Sequence, residues 1–195
     1  MILNKLLKLQ KLKSVIKNTI TKNIFDIVIY GSIVRGKEKY TDIDIAIIYK
    51  NKIAVEEKLL ASQQLKNKLS FLDCDVDVKT INMYDLLDAS FLARQGIIAE
   101  GYSLTRNKFL HELFGFKAYY EYKYNISIRS ESKKKMFYYA LKGRRSEKGI
   151  AQKTDSVSIS NCVLRTPIQS SSEIEEVFLL HNIQFKKELC LIPTF

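Results

Sequence analysis

Acidic and apolar residues alternate in one strand-like run of this sequence, a few residues after a glycine-serine pair. The run extends from Asp42 to Tyr49 and reads Asp-Ile-Asp-Ile-Ala-Ile-Ile-Tyr. Side chains two positions apart on a strand point to the same face, so Asp42 and Asp44 are expected to lie side by side. Two carboxylates in an apolar strand repel each other and are costly to bury, and a divalent cation removes that cost. The pattern predicts a site for Mg²⁺ or Mn²⁺, hard ions that prefer oxygen ligands.

The glycine-serine pair, Gly31-Ser32, ends an apolar run and is predicted to open a short helix that continues to Gly36. Backbone N–H groups at such a turn can face a phosphate, glycine permits close approach, and the serine hydroxyl adds a donor. Arg35 lies one turn further along and is expected to meet phosphate charge, with a surface arginine as the competing interpretation. The predicted phosphate-binding residues are therefore Gly31, Ser32 and Arg35.

A second alternating run begins at Asp73 and reads Asp-Cys-Asp-Val-Asp-Val. Asp75 and Asp77 share one face of this strand, whereas Asp73 is expected in the loop before it. If the strand neighbours the first acidic strand, one of the two completes a cluster of three carboxylates. Such a cluster can hold two metal ions about 4 Å apart, and one carboxylate can help to deprotonate an incoming hydroxyl. His111 and His181 stand alone and are not expected to be catalytic.

Hydrophobic periodicity predicts the elements that must position these residues. The first part is predicted to contain helices at 2–22, 54–69 and 84–99, strands at 24–30, 42–49 and 74–81, and an extended piece at 101–105. The second part is predicted to contain helices at 131–142 and 171–182 and strands at 156–168 and 184–192. Residues 1–105 hold 16 basic and 12 acidic residues, whereas residues 106–195 hold 16 and 9. The sequence thus predicts two domains, 1–105 and 106–195, both of the α+β class.

The formal net charge of the whole chain is +11, which favours polyanionic partners such as nucleic acid or an NTP. Its three cysteines are widely spaced, so we expect reduced thiols and a cytoplasmic protein. No run of 18 apolar residues is present, so no membrane span is expected, and the first residues lack the apolar core of a signal peptide. The basic amphipathic helix at 2–22 is expected to pack on the sheet, with a helix on a membrane surface as the alternative.

Basic and aromatic residues are concentrated between residues 119 and 148. Basic side chains can neutralise phosphates and aromatic rings can stack on unpaired bases, so this segment is a candidate nucleic-acid surface. The predicted contacts are Lys133, Lys134, Lys142, Arg144 and Arg145. A solvated helix face, with the tyrosine and phenylalanine rings in the core, is the alternative interpretation.

The order of these motifs carries a resemblance to a known family. Gly31-Ser32, nine residues, Asp42-x-Asp44 and a later strand aspartate resemble the polymerase-beta-like nucleotidyltransferase superfamily. The local form Gly-Ser-x-x-Arg-Gly, with the later segment Ile-Ala-Glu-Gly-Tyr at 98–102, most resembles the minimal nucleotidyltransferases of prokaryotes. This resemblance covers about residues 20–105. The second part resembles, more weakly, the C-terminal extensions of archaeal nucleotidyltransferase-like proteins.

The resemblance implies a nucleotidyltransferase-type twisted mixed sheet with flanking helices, followed by a small C-terminal α+β domain. It implies Asp42 and Asp44 as ligands of both metal ions, with Ser32 on the NTP phosphates. It implies Asp77 as the third carboxylate, with Asp75 as the alternative. The expected reaction transfers an NMP from an NTP, with ATP as the expected nucleotide, to a hydroxyl of an RNA end or a protein, and releases pyrophosphate.

Two further functions are compatible with the same residues. Minimal nucleotidyltransferases often pair with a HEPN toxin and can modify it with AMP, so an antitoxin-like protein with a HEPN-type partner is the second interpretation. The additional second part is a departure from the shortest such antitoxins. The third interpretation is a non-catalytic nucleic-acid-binding protein on the same fold, and the intact set of carboxylates argues against it.

Overall fold

The structure, a computed structural model, describes residues 10–37, 41–126 and 130–194. Within these residues the chain folds into two units that divide after Gly115. Each unit has its own sheet and its own apolar core. The first unit carries the predicted acidic strands, and the second carries the predicted basic segment.

The first unit is built around a mixed four-stranded sheet. Its strands are β1 (Ile24–Tyr30), β2 (Asp42–Tyr49), β3 (Asp75–Asn82) and β4 (Tyr102–Ser103). The strand order is β3-β2-β1-β4, in which β2 and β3 are parallel and β1 is antiparallel to both of its neighbours. The flanking helices are α1 (Gln10–Thr19), α2 (Val55–Lys68), α3 (Met83–Leu87), α4 (Arg94–Glu100) and α5 (Leu110–Leu113). This architecture confirms the expected α+β fold with a mixed sheet.

Both faces of this sheet are apolar along most of its central strands, because isoleucine, valine and alanine occupy both sets of alternate positions. One face packs against α1 and α2 through a core that includes Leu12, Ile29, Ile45 and Leu65. The other face packs against α3, α4 and α5 through a core that includes Val28, Ile48, Leu86, Ile97 and Leu110. Burial of each such side chain contributes roughly 1.5–3 kcal/mol to stability. The sheet can therefore hold the aspartates of its acidic strands in fixed positions.

The predicted helix at 84–99 is wrong, because two short helices stand there with a break between them. Asn82 caps α3 by accepting hydrogen bonds from the N–H groups of Tyr84 at 2.9 Å and Asp85 at 3.2 Å. The Asp88 carboxylate then accepts bonds from the N–H and the hydroxyl of Ser90, both at 2.8 Å. Such local side-chain bonds compete with helix formation and end the helix early. Of the predicted helix at 2–22, residues 2–9 lie outside the described residues.

The second unit has a split β-α-β arrangement. Its strands are β5 (Phe116–Asn125), β6 (Gly143–Arg144), β7 (Glu147–Lys148), β8 (Val157–Ser160), β9 (Val163–Pro167) and β10 (Gln184–Pro193). Its helices are α6 (Glu131–Lys142), α7 (Ile150–Lys153) and α8 (Ser171–Leu180). The antiparallel sheet has the order β10-β5-β9-β8, and β6 and β7 form a separate hairpin. This order matches the ferredoxin-like β-α-β-β-α-β motif.

The aromatic residues of β5 form much of the second core. Tyr122 and Tyr124 point to the helix-covered face of the sheet, where Phe137 of α6 and Phe178 of α8 pack against them. The sequence interpretation assigned no strand to these residues and treated their tyrosines as candidate stacking groups. For Tyr122 and Tyr124 the alternative interpretation, aromatic rings in the core, is therefore correct.

The two units divide ten residues later than the predicted boundary between 105 and 106. Leu110 is fully buried in the core of the first unit, and its N–H donates to the carbonyl of Gly101 at 2.7 Å. Helix α5 therefore belongs to the first unit. Across the described residues, no helix combines the length and the apolar character needed to cross a membrane.

Candidate functional site

The pairing of β2 with β3 brings four carboxylates to one face of the first sheet. The strands are parallel and in register, so that Asp42 stands opposite Asp75 and Asp44 stands opposite Asp77. Residues paired in this way point to the same side, and so do residues two apart on one strand. The intervening Ile43 lies buried on the other side. The expected juxtaposition of the acidic strands is thus present, with both candidate third carboxylates on the correct face.

The electrostatic environment of Asp44 disfavours the charged form of its carboxyl group. Partial burial raises the pKa of Asp44, and the nearby charges of Asp42 and Asp77 raise it further. Lys79 and Arg35 partly offset this effect by lowering the pKa of the same carboxyl. A carboxylate that is both desolvated and beside like charges gains most from a bound cation. The residue types on this face therefore fit a divalent metal, and Asp44 has Asp42 beside it on β2 and Asp77 opposite it on β3.

The carboxylates are not gathered tightly in this structure. In the part of the chain that the structure describes, no set of three or more acidic, histidine or cysteine side chains is arranged to hold a metal ion. Asp42, Asp75 and Asp77 are all exposed, so their side chains have room to rotate toward a shared ion. Like-charged groups repel one another, and a bound cation would supply the counter-charge that lets them approach.

The turn that follows β1 approaches Asp44 closely because its first residue is glycine. Gly31 has a φ of 81°, which is unfavourable for other residues. A Cβ atom at this position would lie 2.2 Å from Oδ2 of Asp44, far inside van der Waals contact. The Gly31 carbonyl accepts hydrogen bonds from the N–H groups of Val34 at 3.1 Å and Arg35 at 3.3 Å. The N–H of Lys37 also donates to the carbonyl of Ser32 at 3.3 Å, so the predicted short helix is a run of hydrogen-bonded turns, anchored by the buried side chains of Ile33 and Val34.

Ser32 lies half-buried at the start of this turn. Among the residues that the structure describes, its N–H and that of Ile33 have no protein acceptor. Backbone N–H groups at such a turn, with a serine hydroxyl beside them, can donate to phosphate oxygens. The position of Ser32 is compatible with the predicted phosphate contact, which remains a prediction.

Glu100 is a site residue that the sequence interpretation missed. Its side chain is 4% exposed, and Oε2 accepts a hydrogen bond from the N–H of Gly31 at 3.2 Å. Arg35 donates from Nη1 to both carboxylate oxygens of Glu100, at 2.9 Å and 2.8 Å. The end of α4 therefore holds the first and the fifth residue of the turn. The segment Ile-Ala-Glu-Gly-Tyr contributed to the family resemblance, but its pairing with a turn 65 residues earlier has no local sequence signal.

The ion pair with Glu100 changes the expected role of Arg35. A buried carboxylate needs a partner, and the guanidinium of Arg35 supplies it while its own side chain stays 32% exposed. Arg35 also lowers the pKa of Asp44, so it contributes positive charge to the acidic face. Its position supports the turn directly, and a direct phosphate contact stays a prediction.

His111, which the sequence did not lead us to expect as a catalytic residue, is buried in the first unit. Its Nδ1 lies 2.7 Å from the carbonyl oxygen of Ala99, and its ring stacks on Phe109. Burial lowers the pKa of His111, so the neutral ring is favoured. His181 lies in the second unit, where its ring packs against Phe137.

The predicted nucleic-acid residues fall into two groups. Lys142, Arg144 and Arg145 are exposed and lie at the end of α6 and on the β6–β7 hairpin. Lys134 is half-buried and donates to Glu131 at 2.8 Å. Lys133 is exposed, but it precedes Lys142 by nine residues and therefore points about 180° away from it around α6.

Comparison with known proteins assigns the first part of the chain to a family. Residues 10–107, about half of the chain, match the family model described as polymerase beta, nucleotidyltransferase. The chain therefore belongs to the polymerase beta nucleotidyltransferase family. Its enzymatic class is that of a nucleotidyltransferase, which moves an NMP from an NTP to an acceptor. A comparison with curated proteins gives no match.

Several solved toxin–antitoxin structures are similar to part of this chain. A crystal structure of a mutated MntA–HpeT toxin–antitoxin is 25% identical and covers 48% of this chain and 69% of its own, with a TM-score of 0.36. A toxin–antitoxin structure with AMP-PNP is 26% identical and covers 49% and 73%, also with a TM-score of 0.36. A tri-AMPylated HEPN toxin in complex with an MNT antitoxin, from Shewanella oneidensis, is 26% identical and covers 48% and 66%, with a TM-score of 0.32.

Proposed function

We propose that the acidic face of β2 and β3 is a nucleotidyl-transfer site that uses ATP and two divalent cations, Mg²⁺ or Mn²⁺. The observation that carries this proposal is the in-register pairing of Asp44 with Asp77, beside the Gly31 turn. Asp42, Asp44 and Asp77 are the proposed metal ligands. Asp77 is preferred to Asp75 because its charge, together with that of Asp42, raises the pKa of Asp44.

In the proposed reaction, an acceptor hydroxyl attacks the α-phosphorus of the NTP. A bond forms between the acceptor oxygen and the α-phosphorus, the bond from this phosphorus to its bridging oxygen breaks, and pyrophosphate leaves. Bound divalent cations would neutralise phosphate charge and favour the ionised acceptor. Ser32 donates to the phosphates, and one carboxylate takes the proton of the hydroxyl. Positioning and charge neutralisation supply most of the rate in such transfers.

The preferred acceptor is the hydroxyl of an RNA end. Support comes from the charge of the second unit, whose basic residues on α6 and the β6–β7 hairpin are largely exposed. Polyanions are the natural partners of such a surface.

The three cysteines, Cys74, Cys162 and Cys190, are free thiols, which agrees with the proposed reducing, cytoplasmic setting.

A protein acceptor, such as a HEPN-type toxin, is the second candidate. It is favoured by two exposed apolar side chains on one side of α2, Val55 and Leu59, at 66% exposure each. Large exposed apolar groups are typical of surfaces that bind another protein. An AMPylated partner would dock there and present its own hydroxyl to the same carboxylates.

Label transfer separates these functions. The full chain is incubated with one α-labelled NTP at a time, Mg²⁺ or Mn²⁺, and either cellular RNA or cellular protein. We expect label in RNA, with ATP as the preferred donor. Label confined to one protein band would select the protein-modifying function instead. Absence of label in both fractions, with every NTP and either ion, would contradict nucleotidyl transfer.

Glu100→Gln is expected to weaken nucleotide use by roughly 10–100-fold in kcat/KM, the usual effect of removing a residue that orients ligands through others. The substitution keeps the shape of the side chain but removes the charge that holds Arg35. Because Glu100 acts through the Gly31 turn, we expect the loss to fall mainly on the KM for the NTP. Steady-state kinetics with varied NTP, together with thermal unfolding, measures both effects.

Arg106→Gln is the matched control for this substitution. Arg106 forms a partly buried ion pair with Asp26 in the same unit, and Asp26 keeps the hydroxyls of Ser103 and Thr105 as donors at 2.9 Å and 2.7 Å. We expect Arg106→Gln to lower the unfolding temperature while leaving the KM for the NTP unchanged. An equal KM change in both variants would show that Glu100 has only a general structural role.

A further inference from the structure

We propose that α6 and the β6–β7 hairpin form a docking surface for single-stranded RNA. The surface, here called the helix–hairpin surface, consists of Lys135, Tyr139, Lys142, Arg144 and Arg145. The choice of RNA as the nucleic acid rests on the proposed function, in which an RNA end is the acceptor. The binding surface itself is defined by residues of the second unit alone.

Charge is the first feature that selects this occupant. Residues 130–153 contain eight basic and two acidic residues, and one of these acids, Glu131, is paired with Lys134 at 2.8 Å. Lys135, Lys142, Arg144 and Arg145 are all exposed. Each basic side chain that meets a phosphate releases a condensed counterion, so such a cluster favours a nucleic-acid backbone.

An exposed aromatic ring is the second feature, and it favours unpaired bases. Lys135, Tyr139 and Lys142 are spaced four and three residues apart, which places them on one side of α6. Tyr139 is 44% exposed, and the guanidinium of Arg144 lies over its ring at 4.9 Å from the centroid. A ring held in this way offers a stacking platform. The bases of a duplex have no free faces, so the platform fits a single strand.

The hairpin that carries Arg144 is fixed by two glycines. Gly143 has a φ of 92°, and a Cβ atom there would lie 2.2 Å from the carbonyl oxygen of Glu147. A Cβ atom on Gly149 would lie 2.3 Å from the backbone nitrogen of Gly143. The ends of the hairpin are therefore in close backbone contact, which constrains the backbone that carries its basic side chains and lowers the entropy lost on binding.

The residue at the hairpin tip contradicts the usual turn chemistry. Gly143 pairs with Lys148 and Arg144 pairs with Glu147, so Arg145 and Ser146 are the two loop residues. Arg145 has a φ of 54°, a left-handed conformation that glycine or asparagine adopts at much lower cost in such hairpins. Among the described residues, the other non-glycine residues with positive φ are Asn107, Asp155 and Asn182, which tolerate it well. A strained arginine at an exposed tip is best accounted for by a binding role of its side chain.

Arg145→Asn therefore separates binding from folding. Asparagine accepts the left-handed conformation, so the unfolding temperature is expected to stay equal or to rise. The affinity of the full chain for a fluorescent single-stranded RNA of 12 nucleotides, without NTP, is expected to fall several-fold. The slope of log affinity against log salt is expected to decrease by about 0.7, the value for one lost phosphate contact with a single strand.

Tyr139→Ala tests the stacking platform, whereas Lys186→Asn is the matched control for the charge removed in Arg145→Asn. Tyr139→Ala is expected to weaken RNA binding roughly tenfold or more at every salt concentration, with little change in the slope. The ring of Phe185 packs in the core on the helix-covered face of the second sheet. Lys186, the next residue of β10, is exposed and points to the other face, away from α6. The Lys186→Asn variant loses one positive charge and is expected to bind RNA like the unmodified protein.

Several results would overturn this proposal. Unchanged RNA affinity in Arg145→Asn, or an equal loss in Lys186→Asn, would reduce the surface to general positive charge. Equal affinity for duplex RNA, or an RNA affinity that does not change in Tyr139→Ala, would contradict base stacking. Such a result would favour an acidic protein as the partner of this surface instead. Equal binding of DNA of the same sequence would contradict the choice of RNA. Because these measurements contain no NTP, they succeed or fail independently of nucleotidyl transfer.

Discussion

Asp44→Asn is expected to lower nucleotidyl transfer at least about 10³-fold, because it removes the carboxylate at the centre of the acidic face. The fold is expected to remain intact. Burial and the charges of Asp42 and Asp77 raise the pKa of Asp44, so the ionised carboxylate is disfavoured in the folded protein. A neutral side chain of the same shape relieves that cost. We therefore expect an unfolding temperature equal to or above that of the unmodified protein, measured beside the rate of label transfer.

The same pKa shift gives the metal-free protein a pH dependence with a defined sign. A carboxyl group whose pKa is raised on folding binds its proton more tightly in the folded state. Its contribution to stability is therefore full at low pH and is lost as the pH rises through the folded pKa of Asp44. Asp44→Asn removes this component, so the difference in unfolding temperature between the two proteins should grow as the pH rises through that range. Transfer at the unmodified rate by Asp44→Asn would exclude the proposed metal site.

The paired variants Asp77→Asn and Asp75→Asn decide which residue is the third carboxylate. Both side chains lie on the acidic face, opposite Asp44 and Asp42 respectively. We expect a large loss of transfer in Asp77→Asn and a smaller one in Asp75→Asn, because the charge of Asp77 acts on Asp44. The reverse order would assign the role to Asp75 and would leave the rest of the site unchanged.

Gly31→Ala is expected to lower transfer about 100-fold or more, because the new methyl group and the Asp44 carboxylate cannot occupy the same space. The Cβ atom would lie 2.2 Å from Oδ2 of Asp44, so either the turn or the carboxylate must move. Displacements of about 1 Å in a catalytic site can cost that much. Label transfer at saturating and limiting NTP measures the loss.

Gly115→Ala provides a control for the backbone strain in this experiment. Gly115 has a φ of 77°, close to the 81° of Gly31, but apart from its chain neighbours no described residue has an atom within 4 Å of a Cβ built there. Both substitutions thus carry a similar left-handed strain of roughly 1–2 kcal/mol, and only one carries the clash. We expect similar losses of thermal stability at the two positions and normal transfer in Gly115→Ala. Equal transfer in both variants would show that the close approach to Asp44 is not needed.

The acidic face is the part of this protein that the sequence predicts best. Strand periodicity placed Asp42 and Asp44 on one face, and the alternating residues of 74–81 predicted a further strand, whose pairing with the first was left open. Only the parallel register decides which aspartates stand opposite each other, and register depends on packing between strands that are distant in sequence. The sequence therefore left open which aspartate stands opposite Asp44, and the pairing of the strands shows that it is Asp77.

Long-range partners account for most of what the sequence interpretation missed. Glu100 lies 65 residues after Arg35, and no local pattern indicates that its buried carboxylate holds the Gly31 turn. The break between α3 and α4 was missed for a different reason. The apolar spacing of 84–99 continues across the break. Asn82 caps the start of α3, and the hydrogen bonds between Asp88 and Ser90, two residues further along the chain, end that helix.

The second unit shows how one residue type can indicate two different things. Alternating tyrosines in β5 are typical of a half-buried strand, yet next to many lysines they also resemble stacking groups. The structure buries Tyr122 and Tyr124 and leaves Tyr139 partly exposed beside Arg144. Only the tertiary packing of α6 and α8 on the sheet distinguishes these roles.

Nucleotide binding with and without a divalent cation tests the central claim most directly. The full chain and its Asp42→Asn variant are titrated with AMP-PNP by calorimetry, first with excess Mg²⁺ and then with a chelator. We predict that Mg²⁺ strengthens binding to the unmodified protein at least about tenfold and that this gain disappears in Asp42→Asn. Equal affinity in all four titrations would contradict a metal–nucleotide site formed by the carboxylates of β2 and β3.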